Sequence, residues 1–324
     1  MYNSEAVYNH WLHRFSQIVV AATFVLIFIG GLVTSTGSGL AVPDWPNTYG
    51  HFMFSYPLSG MVGGILYEHG HRLVATIVGF LMTILAVWLW IKEPRRWVKL
   101  LGVIAFLAVL AQGILGGLTV IYLLPTPISV LHGCLAQTFF CITIAIAMVT
   151  SRGWQAQNKS AQAGQGPNLQ NVALFTLFVV YAQMIMGAVM RHTGAGLAIP
   201  DFPLAFGQII PPISTQAIAV NFLHRLGAAI VTLSAIATFV VISRHHRDEK
   251  MLLKPAVILL VAIAFQITLA AITIWTRKAP IPTTAHVATG AFILGTTFYL
   301  VMRAHQLRPT VVASQGTLER LSTA

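Results

Sequence analysis

Long apolar runs alternate with short polar segments along the whole chain. Each run is about 20 residues long, which is the length of helix that crosses the hydrocarbon core of a bilayer. Helices are the expected spanning elements, because lipid offers no partner for backbone polar groups and a helix satisfies its own. The pattern predicts eight membrane-spanning helices, near residues 15–35, 70–91, 98–121, 128–150, 171–190, 218–243, 255–275 and 284–303.

The chain also repeats itself, so that its first four runs correspond to its last four. The two halves match at three places: residues 36–46 with 193–203, residues 71–73 with 224–226, and the pair Gln112 and His132 with Gln266 and His286. Each unit contains an even number of helices, so the second copy enters the membrane in the same orientation as the first. The predicted fold is an all-α integral membrane protein of two tandem parallel four-helix bundles.

Basic residues predict how the helices are oriented. Lys and Arg cluster in the links after the second, fourth and sixth helices, whereas segments 36–67 and 192–217 contain neither. By the positive-inside rule, the basic links and both termini are cytoplasmic and the two long segments are external. Arg277 and Lys278, in the last outer loop, run against the rule but are outnumbered.

These boundaries divide the chain into four predicted parts. Residues 1–150 form an N-terminal four-helix repeat, 151–170 a cytoplasmic linker, 171–307 a C-terminal four-helix repeat, and 308–324 a disordered tail. We refer below to the two repeats as the N-terminal half and the C-terminal half.

Charge and the N-terminal sequence suggest the location of the protein. The net charge of +11 is spread over cytoplasmic loops, where it faces anionic lipid, so we do not expect nucleic acid as a partner. Residues 1–5 have neither the basic start of a secretory signal nor an Arg-rich transit pattern. We therefore expect a multi-pass protein of a bacterial plasma membrane, surrounded by lipid.

Four histidines are the strongest candidates for chemistry. His71 and His132 lie near the outer starts of the second and fourth helices, and His224 and His286 repeat that placement. Ionisable groups inside a membrane are costly and usually functional. Two imidazoles on facing helices are what bis-histidine haem ligation requires, which predicts one haem site in each half. A non-haem metal is the alternative, although zinc or copper would want further ligands close by.

The halves differ beside these histidines. Glu68 precedes His71 by three residues on the same helix face, whereas the corresponding residue of the C-terminal half is Asn221, which cannot titrate. Arg72 and Arg225 each follow a candidate ligand. They are candidates for pairing with haem propionates, and the alternative is that they snorkel to lipid headgroups.

Three motifs together resemble the haem A synthase family: residues 30–34 (GGLVT), residues 36–46 (TGSGLAVPDWP) and residues 68–72 (EHGHR). The resemblance extends over about residues 11–304. It implies that the protein oxidises the C8 methyl group of haem O to a formyl group by successive hydroxylation, making haem A for terminal oxidases. Some members carry a cysteine pair in the first outer loop, which residues 36–67 lack.

The same resemblance assigns the sites and partners. It implies that His71 and His132 hold the substrate haem O and that His224 and His286 hold a haem b cofactor. Haem O synthase and a quinone or another electron acceptor are the expected partners.

Glu68 is then the candidate catalytic residue, stabilising positive charge at the methyl carbon or accepting a proton. The alternative is an interfacial carboxylate held by Arg72. Two other functions stay open: a dihaem b-type cytochrome that transfers electrons without modifying haem, and a haem carrier.

Overall fold

The computed structural model describes residues 8–156 and 168–306, and these residues form nine α-helices and no strand. Most of the predicted linker and the whole predicted tail, residues 157–167 and 308–324, lie outside the described residues. The helices are α1 (His10–Ser35), α2 (Gly64–Lys92), α3 (Arg96–Ile121), α4 (Thr126–Val149), α5 (Arg152–Ala156), α6 (Leu169–His192), α7 (Gln216–His245), α8 (Lys250–Trp275) and α9 (Pro280–Gln306).

Eight of these helices, all except α5, are long and apolar enough to cross a membrane. Each has between 24 and 30 residues, so at about 1.5 Å per residue each is longer than the roughly 30 Å hydrocarbon core. The predicted all-α architecture with eight spanning helices is confirmed. The side of the membrane on which the termini lie stays a prediction.

Several helices begin before their predicted starts, α2 by the most, and α5 is an additional short helix. Helix α2 begins at Gly64 rather than near residue 70, because its first turns contain polar residues that the apolar pattern excludes. Helix α5 occupies the start of the predicted linker. There, the guanidinium of Arg303 lies 5.7 Å from the ring centroid of Trp154, and Gln306 Nε2 donates to the Trp154 carbonyl over 3.0 Å. The first residues of that segment are therefore fixed against the end of α9.

Within each half, the long helices pack in chain order around a closed ring. Helix α1 contacts α2, α2 contacts α3, α3 contacts α4, and α4 returns to α1, and α6 to α9 repeat this order. Each half has its own apolar core. The halves meet through α1, α4, α6 and α9, where a smaller cluster contains Ile27, Phe140 and Ala291.

Large apolar side chains cover the outward faces of the helices. Phe80, Phe178 and Val261 are 67%, 69% and 64% exposed. A water-soluble protein rarely presents so much contiguous apolar surface. These faces are suited to contact with lipid tails.

The segments 36–63 and 193–215 cap the same end of the helices, which we call the loop end. They share an unusual backbone. Trp45–Pro46 and Phe202–Pro203 are cis peptide bonds at equivalent positions, and isolated bridges pair Thr48 with His51 and Ala205 with Gln208. The sequence repeat is thus also a repeat of loop structure.

One aspartate closes the turn in each loop. The two carboxylate oxygens of Asp44 accept hydrogen bonds from the backbone N–H groups of Tyr49 and Gly50, both over 2.8 Å. Asp201 accepts the corresponding bonds from Phe206 and Gly207, also over 2.8 Å. These bonds hold a left-handed backbone, with φ of 49° at Tyr49, which costs energy for any residue with a Cβ.

Candidate functional site

The four predicted histidines lie at similar depths below the loop end. His71 is the eighth residue of α2, His132 the seventh of α4, His224 the ninth of α7 and His286 the seventh of α9. Each is therefore about 9–12 Å along the axis from the start of its helix. Since all four helices start at the loop end, the two pairs lie at one level of the molecule.

In each half the two histidines lie on diagonal helices of the ring. Among the described helices, α2 and α4 are separated by α1 and α3, and α7 and α9 are separated by α6 and α8. The members of each pair thus lie across the interior of their own half.

Glycines on neighbouring helices let bare backbone approach three of the imidazole rings. A Cβ atom at Gly30 would lie 3.1 Å from Cε1 of His71, and one at Gly187 would lie 3.0 Å from Cε1 of His224. Gly116 has the same relation to His132, at 3.2 Å. At these distances a Cβ would push the ring by a few tenths of an ångström, so these glycines help to set how the rings sit between the helices.

Glutamine side chains border the histidines. Gln112 and Gln266, which the sequence repeat had paired, place their Nε2 atoms 3.4 Å from His132 Nε2 and 3.3 Å from His286 Nε2. Gln183 is a third such residue, and its Nε2 donates to the His224 carbonyl over 2.7 Å. It has no repeat partner, since the equivalent position in α1 is Leu26. Sequence comparison of the halves therefore could not reveal it.

The imidazoles fit an axial ligand of haem better than a multi-ligand metal site. Within the described part of the chain, the Nδ1 atoms of His71, His132 and His286 are buried and have no hydrogen-bond partner. Buried polar atoms of proteins are normally paired. In the same residues, no group of three or more His, Cys, Asp or Glu side chains could hold a metal ion. The two histidines of each half would hold a haem iron between them.

Glu68 is buried, with 4% of its surface exposed, and it faces the first loop. Its Oε1 accepts from Arg72 Nη2 over 2.7 Å, and its Oε2 accepts from the backbone N–H of Val42 over 2.8 Å. Arg72 also donates from Nη1 to the carbonyls of Asp44 and Asn47, over 2.7 and 2.9 Å. The pair therefore fastens the loop to α2, one turn from His71.

The C-terminal half fastens its loop with the equivalent pair of residues, but without the carboxylate. Asn221 Nδ2 donates to the carbonyl of Ala195 over 2.9 Å, and its Oδ1 accepts from Arg225 Nε over 3.0 Å. Arg225 donates to the carbonyls of Ile199 and Leu204 over 3.0 and 2.9 Å. These carbonyls are the repeat equivalents of Val42 and Asn47, so the two arginines hold corresponding points of the two loops.

The hydrogen bonds of Arg72 and Arg225 affect the prediction that these residues pair with haem propionates. The guanidinium groups of Arg72 and Arg225 are directed at loop carbonyls. Their pairing with haem propionates stays a prediction that the geometry does not favour.

A second polar contact distinguishes the N-terminal half. His69 is 1% exposed, and its Nδ1 lies 2.9 Å from Thr48 Oγ1. Its ring packs against Tyr56, with centroids 5.1 Å apart. The equivalent residues in the C-terminal half are Phe222 and Ala205, which belong to one apolar cluster.

The fold and the histidines together define a multi-pass membrane protein with a repeated pair of half-buried histidines. The chain belongs to the cytochrome oxidase assembly protein family (COX15-CtaA), whose sequence profile matches residues 54–298.

Curated relatives agree with that assignment. The chain is 29% identical to the heme A synthase of Shouchella clausii over 245 residues, which is 74% of this chain and 79% of the relative. It is 26% identical to that of Geobacillus kaustophilus over 302 residues, covering 90% and 91% of the two chains. It is 32% identical to that of Symbiobacterium thermophilum over 228 residues, covering 68% and 71%. With eight apolar helices and bacterial relatives, the chain is a multi-pass protein of the bacterial plasma membrane.

Proposed function

We propose that this protein is a haem A synthase, an oxidoreductase that converts the C8 methyl group of haem O to the formyl group of haem A. The reaction acts on a C–H bond, by successive hydroxylation. The observation that carries the proposal is the repeated pair of half-buried histidines on diagonal helices, in a chain whose relatives are heme A synthases.

The two halves have different roles in this proposal. His71 and His132 bind the substrate haem O, whereas His224 and His286 bind a haem b cofactor. The buried Nδ1 atoms without a partner and the glycines packed against the rings support histidine ligation in both halves. When bound, haem b supplies one-electron transfer.

The protein's own contribution in the N-terminal half is to hold the site and its loop in a fixed relation. Gly30 and Gly116 set the orientation of the two ligand rings. Glu68 and Arg72 hold segment 36–63, the loop that covers this end of the helices. A fixed cap excludes water and holds the reacting methyl group in one place, which lowers the entropy cost of reaction.

Glu68 is the proposed catalytic carboxylate, because only the half assigned to the substrate has a titratable group at this position. It places a negative charge one helical turn from His71, where it would stabilise positive charge developing at the methyl carbon or accept a proton. Its bonds to Arg72 and Val42 link that charge to the position of the first loop.

In this proposal, haem O synthase supplies the substrate. A quinone or a partner protein accepts the electrons. A membrane-soluble substrate and acceptor suit a site enclosed by apolar helices.

The test is to express the protein with a haem O-producing enzyme, purify it from membranes, and identify the extracted haems by chromatography and mass spectrometry. Haem A with a hydroxylated intermediate and haem b is the expected result. Two haem b molecules per chain, with haem O left unconverted in the membrane, would instead identify a dihaem cytochrome. Protein purified without any haem would contradict both functions.

A further inference from the structure

Five cationic side chains of the described residues lie near the loop end, and they differ in what they contact. Arg72 and Arg225 hold the loop carbonyls. Arg277 and Lys278, between α8 and α9, are exposed to solvent. The remaining one is Arg191, the last but one residue of α6, which is half-buried at the contact between the two halves.

Among the residues that the structure describes, Arg191 has no acidic partner. The ion pairs in the described part of the chain are those of Arg72 with Glu68 and of Arg95 with Glu93. Among the same residues, Arg191 donates only from Nη2, to the Gly31 carbonyl and to Ser35 Oγ, both over 3.0 Å. A guanidinium has five N–H donors, so most of its capacity is left for another group. A cation in a low-dielectric region is costly unless an anion accompanies it.

The surroundings of Arg191 connect it to both histidine pairs. Ser35 Oγ also accepts from Thr284 Oγ1 over 3.1 Å, and Thr284 is fully buried on α9, two residues before His286. On the other side, Gly31 follows Gly30, whose backbone packs against the His71 ring.

We propose that Arg191 forms an ion pair with a propionate carboxylate of the haem held between His224 and His286. This inference rests on the proposed haem ligation. A haem carries two propionates, and a guanidinium is the side chain best shaped to bind a carboxylate with two parallel hydrogen bonds. Because Arg191 also bonds to α1, the ion pair connects the cofactor haem to the helix that packs against His71.

The repeat strengthens the assignment to the C-terminal half. The residue equivalent to Arg191 in α1 is Thr34, whose hydroxyl bonds to the Gly30 carbonyl of its own helix over 3.1 Å. The substrate half thus lacks a cation at this position. A permanent cofactor benefits from a strong anchor, whereas a substrate that must leave as product does not.

The experiment compares Arg191→Gln with wild-type protein, full length and purified with its haems. We measure haem b per chain, the rate at which haem b is lost to excess apomyoglobin, and its midpoint potential by spectroelectrochemical titration. Loss of one charged hydrogen bond predicts haem b dissociation about tenfold faster. The midpoint potential should fall, since a nearby positive charge favours the added electron. Arg277→Gln, the same charge change at an exposed position, should leave both values unchanged.

Ser35→Ala separates an ion pair from a contact between helices. It removes one of the bonds that Arg191 makes to α1 but leaves the cation, so the midpoint potential should stay at the wild-type value. If the midpoint potential of haem b shifted equally in Ser35→Ala and Arg191→Gln, Arg191 would have only a structural role and the proposal would be overturned. Wild-type dissociation and potential in Arg191→Gln would overturn it as well.

Arg191→Lys decides the question if Arg191→Gln does not accumulate in membranes. Lysine keeps the charge but not the planar fork, so a retained potential with faster haem b loss supports the ion pair. An unchanged loss rate contradicts it. These results differ from failure of the proposed function, in which the wild-type protein itself would bind no haem b through His224 and His286.

Discussion

The two halves hold equivalent histidines, yet they secure the loops above them with different chemistry. In the N-terminal half, a buried ion pair of Glu68 and Arg72 reaches Val42 and Asn47. In the C-terminal half, a neutral amide takes the place of the carboxylate beside Arg225. The backbone points that the arginines hold are equivalent, so the loop structure does not require the negative charge.

The placement of the histidines and the charge on the residue beside them are therefore separate features of the molecule. The repeated features, which are the histidines, the equivalent glycines Gly30 and Gly187 and the loop aspartates, serve needs common to both halves. The features found once are the Glu68 carboxylate, the Thr48 and His69 contact, Gln183 and Arg191. Each of them adds a polar or charged group to one half only, as expected when one site performs chemistry and the other holds a cofactor.

The largest effects should come from removing one histidine ligand from each half in turn. We expect His71→Ala to abolish conversion of haem O while haem b remains bound, because the rings belong to separate helix pairs. We expect His224→Ala to lose haem b. Extracted haems and the optical spectrum of each purified variant measure this. Full retention of haem b in a His224→Ala, His286→Ala double variant would show that the assignment of the halves is wrong.

Replacing the side chain that fastens each loop should have the next largest effect. Glu68→Gln leaves the buried Arg72 without a counter-charge, which should lower the free energy of unfolding by about 3 kcal/mol and reduce conversion sharply. Asn221→Ala removes neutral hydrogen bonds and should cost about 1–2 kcal/mol with conversion largely kept. Thermal unfolding and the ratio of haem A to haem O are the measurements. If Glu68→Gln bound haem and still converted haem O fully to haem A, a catalytic role for Glu68 would be excluded.

Adding a methyl group beside one ring tests the two sites separately. In Gly30→Ala the new Cβ would lie 3.1 Å from His71 Cε1, and in Gly187→Ala it would lie 3.0 Å from His224 Cε1. Each ring must shift by a few tenths of an ångström, so Gly30→Ala should slow conversion and Gly187→Ala should change the haem b spectrum. Gly79→Ala, in the same helix as His71 and with nothing within 4 Å of its Cβ, is the control. Identical effects of Gly30→Ala and Gly187→Ala would argue against separate sites.

Making the N-terminal half resemble the C-terminal half at Thr48 and His69 should have a smaller effect. Thr48→Ala alone removes the Thr48 hydroxyl partner of the buried His69 Nδ1, which costs about 1–3 kcal/mol. Adding His69→Phe gives the apolar pair found at Ala205 and Phe222, so the double variant should recover most of that loss. The measurement is a double-mutant cycle, in which the unfolding midpoints of both single variants and the double variant are compared with that of the wild type. Additive losses would mean that the two side chains do not interact.

The smallest effect should come from the aspartates that the halves share. Partial burial raises the pKa of Asp44, but hydrogen bonds from the Gly50 and Tyr49 N–H groups outweigh it, so the pKa lies below 3.8. A lowered pKa stabilises the loop above the ordinary value, and the stabilisation is lost as pH falls through the lowered pKa. Asp201 follows the same rule, since the Gly207 and Phe206 N–H groups lower its pKa.

We therefore expect hydrogen exchange at Tyr49 and Gly50 to become less protected below about pH 4, close to the ordinary aspartate pKa. The same change should occur at Phe206 and Gly207. Asp44→Asn and Asp201→Asn should each remove the pH dependence from their own loop only. A loop that stays equally protected down to pH 2 would contradict this account.

The sequence alone was enough for the features that local chemistry controls. Eight helices follow from apolar runs of membrane length, and the four histidines follow from costly groups repeated in the same places. Their equal depth also follows, because a helix has a fixed rise per residue. The first turns of α2 escaped the pattern, since Tyr67, Glu68 and His69 interrupt the apolar run although the helix continues through them.

Only the tertiary structure decided which side chains meet. It directed Arg72 and Arg225 to loop carbonyls, placed Gln183 against His224, and brought Arg191 of α6 to Ser35 of α1. These contacts join residues up to about 160 positions apart, and no periodicity along the chain encodes them. The physical reason is that the membrane selects helices by composition within each segment, whereas the partner of a polar group depends on which helices pack together.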